Sequence, residues 1–278
     1  MTNILVLALA TASFFAAEKF TSCVKPGHFA FTFDQAPSPN TGVILNTFQR
    51  HKVKTTFHIT VNYLENPVIL AYLRKAVSDG HLIGIFVENE KDKEDMPEEK
   101  RIDIYLRRTS ALIKKHISYT PKFLRFPHPG PGKALVKKLE SQGYIVTSFN
   151  LDSGDYEYVS ENDASESIFK NFKKTVDQIL QPAMGAFISV QRDSVEASAR
   201  QTEKIVAYVL KKGYKIVRLD ECVGIVKGEG YNGKGGQNEK NALEIEKMDE
   251  EEEKKTGGIT SAQIGQSLLW VVFLLVFC

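Results

Sequence analysis

The sequence predicts an α/β fold in which parallel strands alternate with helices. Short runs rich in β-branched and aromatic residues alternate along the chain with segments whose apolar residues recur at helical spacing. This repetition of strand, helix and strand implies parallel strands that are joined by crossover helices. Periodicity by itself leaves a closed barrel and an open sheet undecided.

The two patterns predict the elements in chain order. A strand over residues 29–33 is followed by a helix over 41–50, and a strand over 54–60 is followed by a helix over 67–78. Helical spacing then indicates two further helices, and apolar runs indicate two further strands. The helical positions are Ile102, Leu106, Thr109 and Ile113, then Ile168, Phe172, Val176 and Ile179, and the strand-like runs are 185–190 and 214–217.

Composition separates a globular part of the chain from a charged segment. Residues 18–227 have ordinary apolar and charged fractions and suffice for one domain with a sizeable core. The formal net charge is +2 and no basic stripe with interleaved aromatic residues occurs, so nucleic acid is not an expected partner. A charged block at 244–255 has no core-forming face. Residues 228–258 are therefore expected to form a solvated stalk.

Both ends of the chain have the pattern of targeting signals. Residues 1–17 combine an apolar run with a small-residue cleavage site, which predicts a secretory leader. The apolar run at 268–277 is shorter than the about 20 residues that a spanning helix needs. Small residues and a polar spacer precede it, which predicts a glycolipid (GPI) anchor near Gly257 and removal of 259–278. The mature protein would then lie on the outer face of the plasma membrane or in a cell or spore wall; a plain apolar C-terminus and a very short tail anchor are the alternatives.

The chain contains three cysteines, and two of them flank the predicted domain. Cys23 precedes the first predicted strand, Cys222 follows the last one, and Cys278 is the final residue. In an oxidising compartment Cys23 and Cys222 can form a disulfide that ties the two ends of the domain together. Two free buried thiols are the alternative, because the sequence does not give the distance between them.

Five short segments between residues 25 and 222 carry a recognisable set of motifs. They lie at 28–37, 52–57, 80–84, 123–127 and 152–155. Taken together in this order, they resemble the polysaccharide deacetylase family (carbohydrate esterase family four, the NodB-homology domain), metal-dependent esterases that include chitin deacetylases. The resemblance implies a distorted (β/α) barrel with its groove at the C-terminal ends of the strands. It also implies zinc or cobalt as the cofactor of active members.

The resemblance assigns a catalytic base but not a complete metal site. Asp34 matches the family's general base, whereas Gln35 stands where the family has a metal-binding aspartate. Phe86 and Glu90 stand at the two metal-binding histidines of the second motif. A hydrolytic zinc usually has three protein ligands of N, O or S type and one open position. Of the three metal positions, only the one at Glu90 still offers a side chain that could coordinate a metal, so no metal cofactor is expected.

The remaining motifs keep an orienting scaffold and lose the general acid. Arg125, which holds the base aspartate in the family, is present, and His128 replaces the aromatic residue that follows it. Asp152 matches the residue that would orient the catalytic histidine, and Tyr156 replaces the usual tryptophan. Arg192 stands at the catalytic histidine itself. A guanidinium stays charged over the usable pH range and does not serve as an acid for the departing amine.

Two further groups near the second motif have structural interpretations. His81 lies beside a glycine turn and is expected to be structural rather than a metal ligand. Glu88, Glu90 and Asp92 alternate with lysines and are expected to form a solvated loop, although carboxylates of this kind also accept calcium.

The lost groups lead to one main hypothesis and two alternatives. The main hypothesis is a secreted, surface-anchored polysaccharide deacetylase-like protein without metal-dependent deacetylase activity, which binds or organises a wall polysaccharide such as chitin or chitosan. The first alternative is an active deacetylase of N-acetylated sugars with a site rebuilt from Glu88, Glu90 or His128. The second is a structural wall or surface spacer. Exposed aromatic residues in the groove favour binding, and the candidates are Tyr156, Tyr158 and Phe126.

Overall fold

The computed structural model of the protein describes residues 20–88, 96–158, 165–179 and 181–225. The predicted leader, the stalk and the anchor signal with Gly257 lie outside these ranges, as do Glu90 and Asp92. Within these ranges, no helix has the length and apolar character needed to cross a bilayer.

Strands and helices alternate as the sequence predicts. The strands are β1 (His28–Ala36), β2 (Thr56–Ile59), β3 (Leu82–Phe86), β4 (Phe123–Arg125), β5 (Ile145–Thr147), β6 (Leu151–Asp152), β7 (Phe187–Arg192) and β8 (Lys215–Ile216). The helices are α1 (Thr41–Arg50), α2 (Pro67–Ser78), α3 (Glu98–Ile117), α4 (Lys133–Ser141), α5 (Ser165–Asp177), α6 (Glu196–Lys211) and α7 (Leu219–Cys222).

Helix bounds follow local signals, whereas strand bounds follow pairing. Helix α2 begins at Pro67 because the Asn66 side chain accepts hydrogen bonds from the backbone N–H groups of the first turn. Strand β1 is longer than predicted because Asp34 pairs with Arg192 in β7 and Ala36 pairs with Ile59 in β2. Helix α5 ends at Asp177, so the predicted helical position Ile179 lies beyond it.

The strands form one parallel sheet that curls into a half-barrel. The strand order is β5-β4-β3-β2-β1-β7-β6, and β8 pairs with β1. Every pairing between these strands is parallel. Within the described ranges the edge strands β5 and β6 do not pair with each other, so the barrel is open on that side. Periodicity left a barrel and an open sheet undecided, and the distorted barrel that the family resemblance implies is confirmed.

Alternate residues of β1 face two different apolar layers. Phe29, Phe31 and Phe33 pack outward beneath the helices, and Phe31 stacks on Phe172 of α5 at 5.9 Å between ring centroids. Ala30 faces inward, into a smaller cluster that joins strands far apart in the sheet order. This inner cluster contains Cys23, Ala30, Leu82, Phe123, Ile188, Val217, Leu219, Cys222 and Val223.

The predicted disulfide between Cys23 and Cys222 is confirmed. The two cysteines are bonded across a sequence separation of 199 residues. Both are buried in the inner cluster, at the end of the barrel where the strands begin. The bond therefore ties the start of the domain to its end, and it stabilises the fold mainly by restricting the unfolded chain.

Candidate functional site

Asp34 and Arg125 form the predicted charge pair at the C-terminal ends of their strands. Asp34 lies near the end of β1, and Arg125 is the last residue of β4. Arg125 Nη1 lies 3.7 Å from Asp34 Oδ2, and the Arg125 side chain is fully buried. Its Nη2 donates to the backbone carbonyl of Ser148 at 3.1 Å, and the guanidinium packs over the Phe149 ring at 5.5 Å.

His58 is a third member of this cluster, and sequence reasoning missed it. Its Nδ1 lies 2.9 Å from Asp34 Oδ1, and its side chain has no exposure to solvent. The register pairs Thr32 of β1 with Thr56 of β2, so alternation along both strands turns Asp34 and His58 to the same face. The sequence does contain one indication of its role, because His58 is a polar residue at an inward position of the buried strand β2.

The environment fixes the protonation of the pair. Burial alone would raise the pKa of Asp34, but the Arg125 charge and the His58 hydrogen bond outweigh it and lower the pKa. Burial and the nearby Arg125 charge lower the pKa of His58. The pair is therefore a carboxylate and a neutral imidazole whose Nδ1–H donates to Oδ1.

Three buried nitrogen atoms of this cluster lack hydrogen bonds. His58 Nε2, Arg125 Nε and Arg125 Nη1 find no hydrogen-bond partner among the described residues. Buried polar atoms are normally satisfied, so their concentration around Asp34 distinguishes this part of the barrel interior from the apolar cluster below it.

Gln35 turns away from the barrel interior. Its backbone is left-handed, with φ of 59°, and its side-chain Oε1 accepts a hydrogen bond of 3.0 Å from the Ser194 hydroxyl. The amide is thereby held on the loop between β7 and α6. A left-handed φ is uncommon outside glycine, and here it directs consecutive side chains to different partners.

Phe86 closes the end of β3 with an apolar ring. The side chain is buried, and the backbone carbonyl accepts a hydrogen bond of 2.8 Å from the Tyr105 hydroxyl. Phe86 pairs in register with Arg125 of β4. The ring offers no ligand atom to a cation, and Glu90, the other substituted position of this motif, lies outside the described residues.

Asp155, and not Asp152 as predicted, holds the side chain at position 192. The Asp155 carboxylate is fully buried; its Oδ1 accepts from Arg192 Nη1 at 2.8 Å and its Oδ2 from the Arg192 backbone N–H at 2.5 Å. Asp152 is exposed, and its Oδ1 accepts from the Gly154 N–H at 2.9 Å. The turn at Gly154, with φ of 67°, reverses the chain and brings the second aspartate of the motif inward.

The aromatic candidates differ in exposure. Tyr156 is 48% exposed, and the Arg192 guanidinium lies 4.6 Å from the centre of its ring. Phe126 and Tyr158 are partly buried and pack against the outer core; the core interpretation holds for Tyr158, whereas Phe126 also lines a depression. His128 lies on an exposed loop.

Two depressions lie beside the third and fourth motifs. One, of about 200 Å³, lies beside the third motif and is lined mainly by apolar and aromatic groups of α3 and of the 126–131 loop, with Glu88 and Glu98 at its edge. The other, of about 410 Å³, is lined by Tyr156, Asp152 and polar residues of α5.

The donor set at the family's metal positions does not fit zinc. Gln35 binds Ser194, and Phe86 has no ligand atom. Over the described ranges, no three histidine, cysteine, aspartate or glutamate side chains are grouped so that they could hold a metal ion. His81 is buried and accepts the Thr55 N–H at 3.0 Å, so it is structural as predicted, and burial lowers its pKa to about 4.

Comparison with known proteins identifies the family. The sequence profile described as polysaccharide deacetylase matches residues 21–147. This part of the chain belongs to the polysaccharide deacetylase family. A chitin deacetylase from Colletotrichum lindemuthianum is 26% identical over 208 residues, which cover 73% of this chain and 82% of the relative.

Solved structures of the family share the fold. The solved structure of the Colletotrichum chitin deacetylase matches with a TM-score of 0.69 at 23% identity, covering 78% of this chain and 96% of that one. A protein from Bacillus anthracis, described as a pseudoenzyme of carbohydrate esterase family four, matches with a TM-score of 0.61 at 13% identity, covering 74% and 69%.

Proposed function

We propose that this protein is a secreted, surface-anchored polysaccharide deacetylase-like protein that binds an N-acetylated wall glycan such as chitin without deacetylating it by metal catalysis. The observation that carries the proposal is the chemistry of the site. A carboxylate scaffold is retained around Asp34, whereas the metal positions hold Gln35 and Phe86 and the acid position holds Arg192.

The missing groups supply the two hardest parts of amide hydrolysis. A metal lowers the pKa of bound water from 15.7 to about 7, and Asp34 alone would have to remove a proton from water that is not activated in this way. A general acid contributes roughly 10²- to 10⁴-fold by protonating the leaving group. Arg192 is permanently charged and held by Asp155, so it does not perform this transfer.

The retained features favour binding over a purely structural role. Two depressions lie beside the third and fourth motifs, and Tyr156 presents an exposed ring at one of them. The names of the relatives, chitin deacetylase among them, suggest N-acetylglucosamine polymers as the ligand class.

The test combines a binding measurement with an acetate-release assay on the purified protein. N-acetylated chitin oligosaccharides and their deacetylated counterparts are titrated calorimetrically, and acetate is measured with and without zinc or cobalt. Saturable binding without acetate release is the expected result. Metal-dependent release would instead support the active alternative, and neither binding nor release would support the spacer.

The anchoring part of the proposal has its own test. Small residues, a polar spacer and a terminal apolar run together support a glycolipid anchor near Gly257. A phospholipase that cuts such anchors should release the domain from the cell surface, with Trp270 absent from its peptide map. Surface-bound protein that still ends in Cys278 would contradict it.

A further inference from the structure

His58 has a place in the site that the family motifs do not explain. It lies on β2, between the strands that carry Asp34 and Phe86, and its ring is completely buried. Its Nδ1 contacts Asp34 Oδ1 at 2.9 Å, whereas the charge of Arg125 lies on the Oδ2 side at 3.7 Å. The two oxygens of the carboxylate are thus held by different partners.

The neighbouring strand leaves room for this ring. Gly84 is the register partner of His58 on β3, and a Cβ atom there would lie 2.6 Å from His58 Cδ2. Real Cβ atoms essentially never approach so closely. The same Cβ would lie 2.8 Å from the Phe123 backbone carbonyl, so a larger residue at position 84 would disturb both β4 and the imidazole that contacts Asp34.

We propose that His58 is a positioning residue: its Nδ1–H fixes Asp34 so that the carboxylate accepts a hydroxyl or amide N–H of the bound glycan. The Asp34 side chain is 8% exposed and so retains a small solvent-accessible surface for a ligand, whereas the fully buried His58 acts only through Asp34. This inference rests on the proposed glycan binding. It means that the site recognises a hydrogen-bond donor on the glycan.

Two substitutions separate the hydrogen bond from the packing. His58→Asn retains an N–H donor the same number of bonds from Cα as Nδ1, but it loses the ring. His58→Phe retains a ring of similar size, but it has no donor. If His58 only fills space, the phenylalanine variant is the better tolerated of the two.

The expected result is the reverse for glycan affinity. A hydrogen bond to a charged group is worth enough that losing it should weaken binding by about tenfold or more in His58→Phe, whereas His58→Asn should remain within about threefold of the wild type. His81→Phe is the matched control, since it removes another buried imidazole that accepts from Thr55 and does not contact Asp34. It should lower stability and leave affinity unchanged.

A spectroscopic measurement tests the same contact without any ligand. Nitrogen-resolved NMR of the His58 ring should show a neutral imidazole that carries its proton on Nδ1. A proton on Nε2 would overturn the proposal, as would a phenylalanine variant that binds as well as the wild type. If the wild-type protein binds no glycan, the proposed function fails. The contact between His58 and Asp34 is still tested in that case, because the His58 proton should leave Nδ1 when Asp34→Ala removes the acceptor.

Discussion

The two arginines of the site are held in opposite ways. Arg125 is buried within a closed cluster with Asp34 and His58. Arg192 is 30% exposed; one side of its guanidinium binds the buried Asp155, and the ring of Tyr156 packs against it. The charge of Arg125 is paired with Asp34 away from water, whereas the charge of Arg192 is shared between Asp155 and solvent.

This difference explains which family positions persist. Removing one member of a buried charge pair leaves the other uncompensated and costs about 3–5 kcal/mol, so the loss of Asp34 or Arg125 alone would destabilise the fold whether or not catalysis occurs. A half-exposed position can change from histidine to arginine at small cost, because the new charge reaches water. At position 192 the catalytic group is therefore replaced more easily than the buried charge pair.

The largest expected effect is the return of activity when the four substituted positions carry the family's residues. The combination of Gln35→Asp, Phe86→His, Glu90→His and Arg192→His should bind zinc and release acetate from N-acetylated chitin oligosaccharides. The same protein without Arg192→His should bind zinc but act at least about 10²-fold more slowly, because the general acid is missing.

Circular dichroism controls for folding, and elemental analysis counts the zinc. A folded, zinc-loaded quadruple variant that stays inactive would show that the loss of activity originates outside these four positions.

The next effect in size is the stability difference between the two arginines. Arg125→Met should lower the free energy of unfolding by about 3–5 kcal/mol, because Asp34 remains buried without its cation. Arg192→Met should lower it by only about 1–2 kcal/mol. Asp155 keeps the backbone N–H of residue 192 in that variant, and burial already raises its pKa, so it can take up a proton.

Urea unfolding at neutral pH measures both values. Equal losses for the two variants would remove the distinction between the closed cluster and the solvent-facing pair.

Sequence predicts this molecule best where the determinants are local. The bounds of α2 were predicted because Asn66, Pro67 and the apolar spacing all lie within one segment. Strand ends were less accurate, since β1 extends to Ala36 through pairing with strands far away in the sequence. The curl of the sheet came from the family resemblance and not from periodicity.

The sequence predicted the roles of site residues only where these residues lie in a family motif. The Asp34 and Arg125 pair followed from two motifs, but the choice between Asp152 and Asp155 depended on a turn at Gly154 that the sequence leaves ambiguous. His58 belongs to no motif, and its role follows only from the register of β1 and β2. Long-range pairing is the information that the sequence lacks.

Asp193 connects the two clusters and provides a smaller, pH-dependent test. Its N–H donates to the Asp34 carbonyl at 2.9 Å, and its buried carboxylate accepts from the Thr41 hydroxyl at 2.8 and 2.9 Å. Burial raises its pKa to about 6, above the ordinary value of 3.8. The folded protein therefore binds this proton more tightly than the unfolded chain does, so the carboxyl favours folding below pH 4 and loses this contribution as the pH rises to 6.

Asp193→Asn removes this dependence. The free energy of unfolding of the wild type relative to the variant should fall by roughly 2–3 kcal/mol between pH 4 and pH 7. Unfolding curves at several pH values measure the difference. A parallel pair of stability profiles would mean that Asp193 titrates as it does in the unfolded chain.

The smallest expected effect concerns the exposed ring at the solvent-facing cluster. Tyr156→Ala should weaken glycan binding about three- to tenfold, because an exposed aromatic face supplies contact area for a sugar ring. It should change the free energy of unfolding by less than about 1 kcal/mol, since the contact with the Arg192 guanidinium is partly hydrated. Tyr156→Phe keeps the ring and should bind as the wild type does. Calorimetric titration of all three proteins decides the point: if alanine binds as tightly as phenylalanine, the glycan does not contact this cluster, and recognition lies on the Asp34 side of the groove.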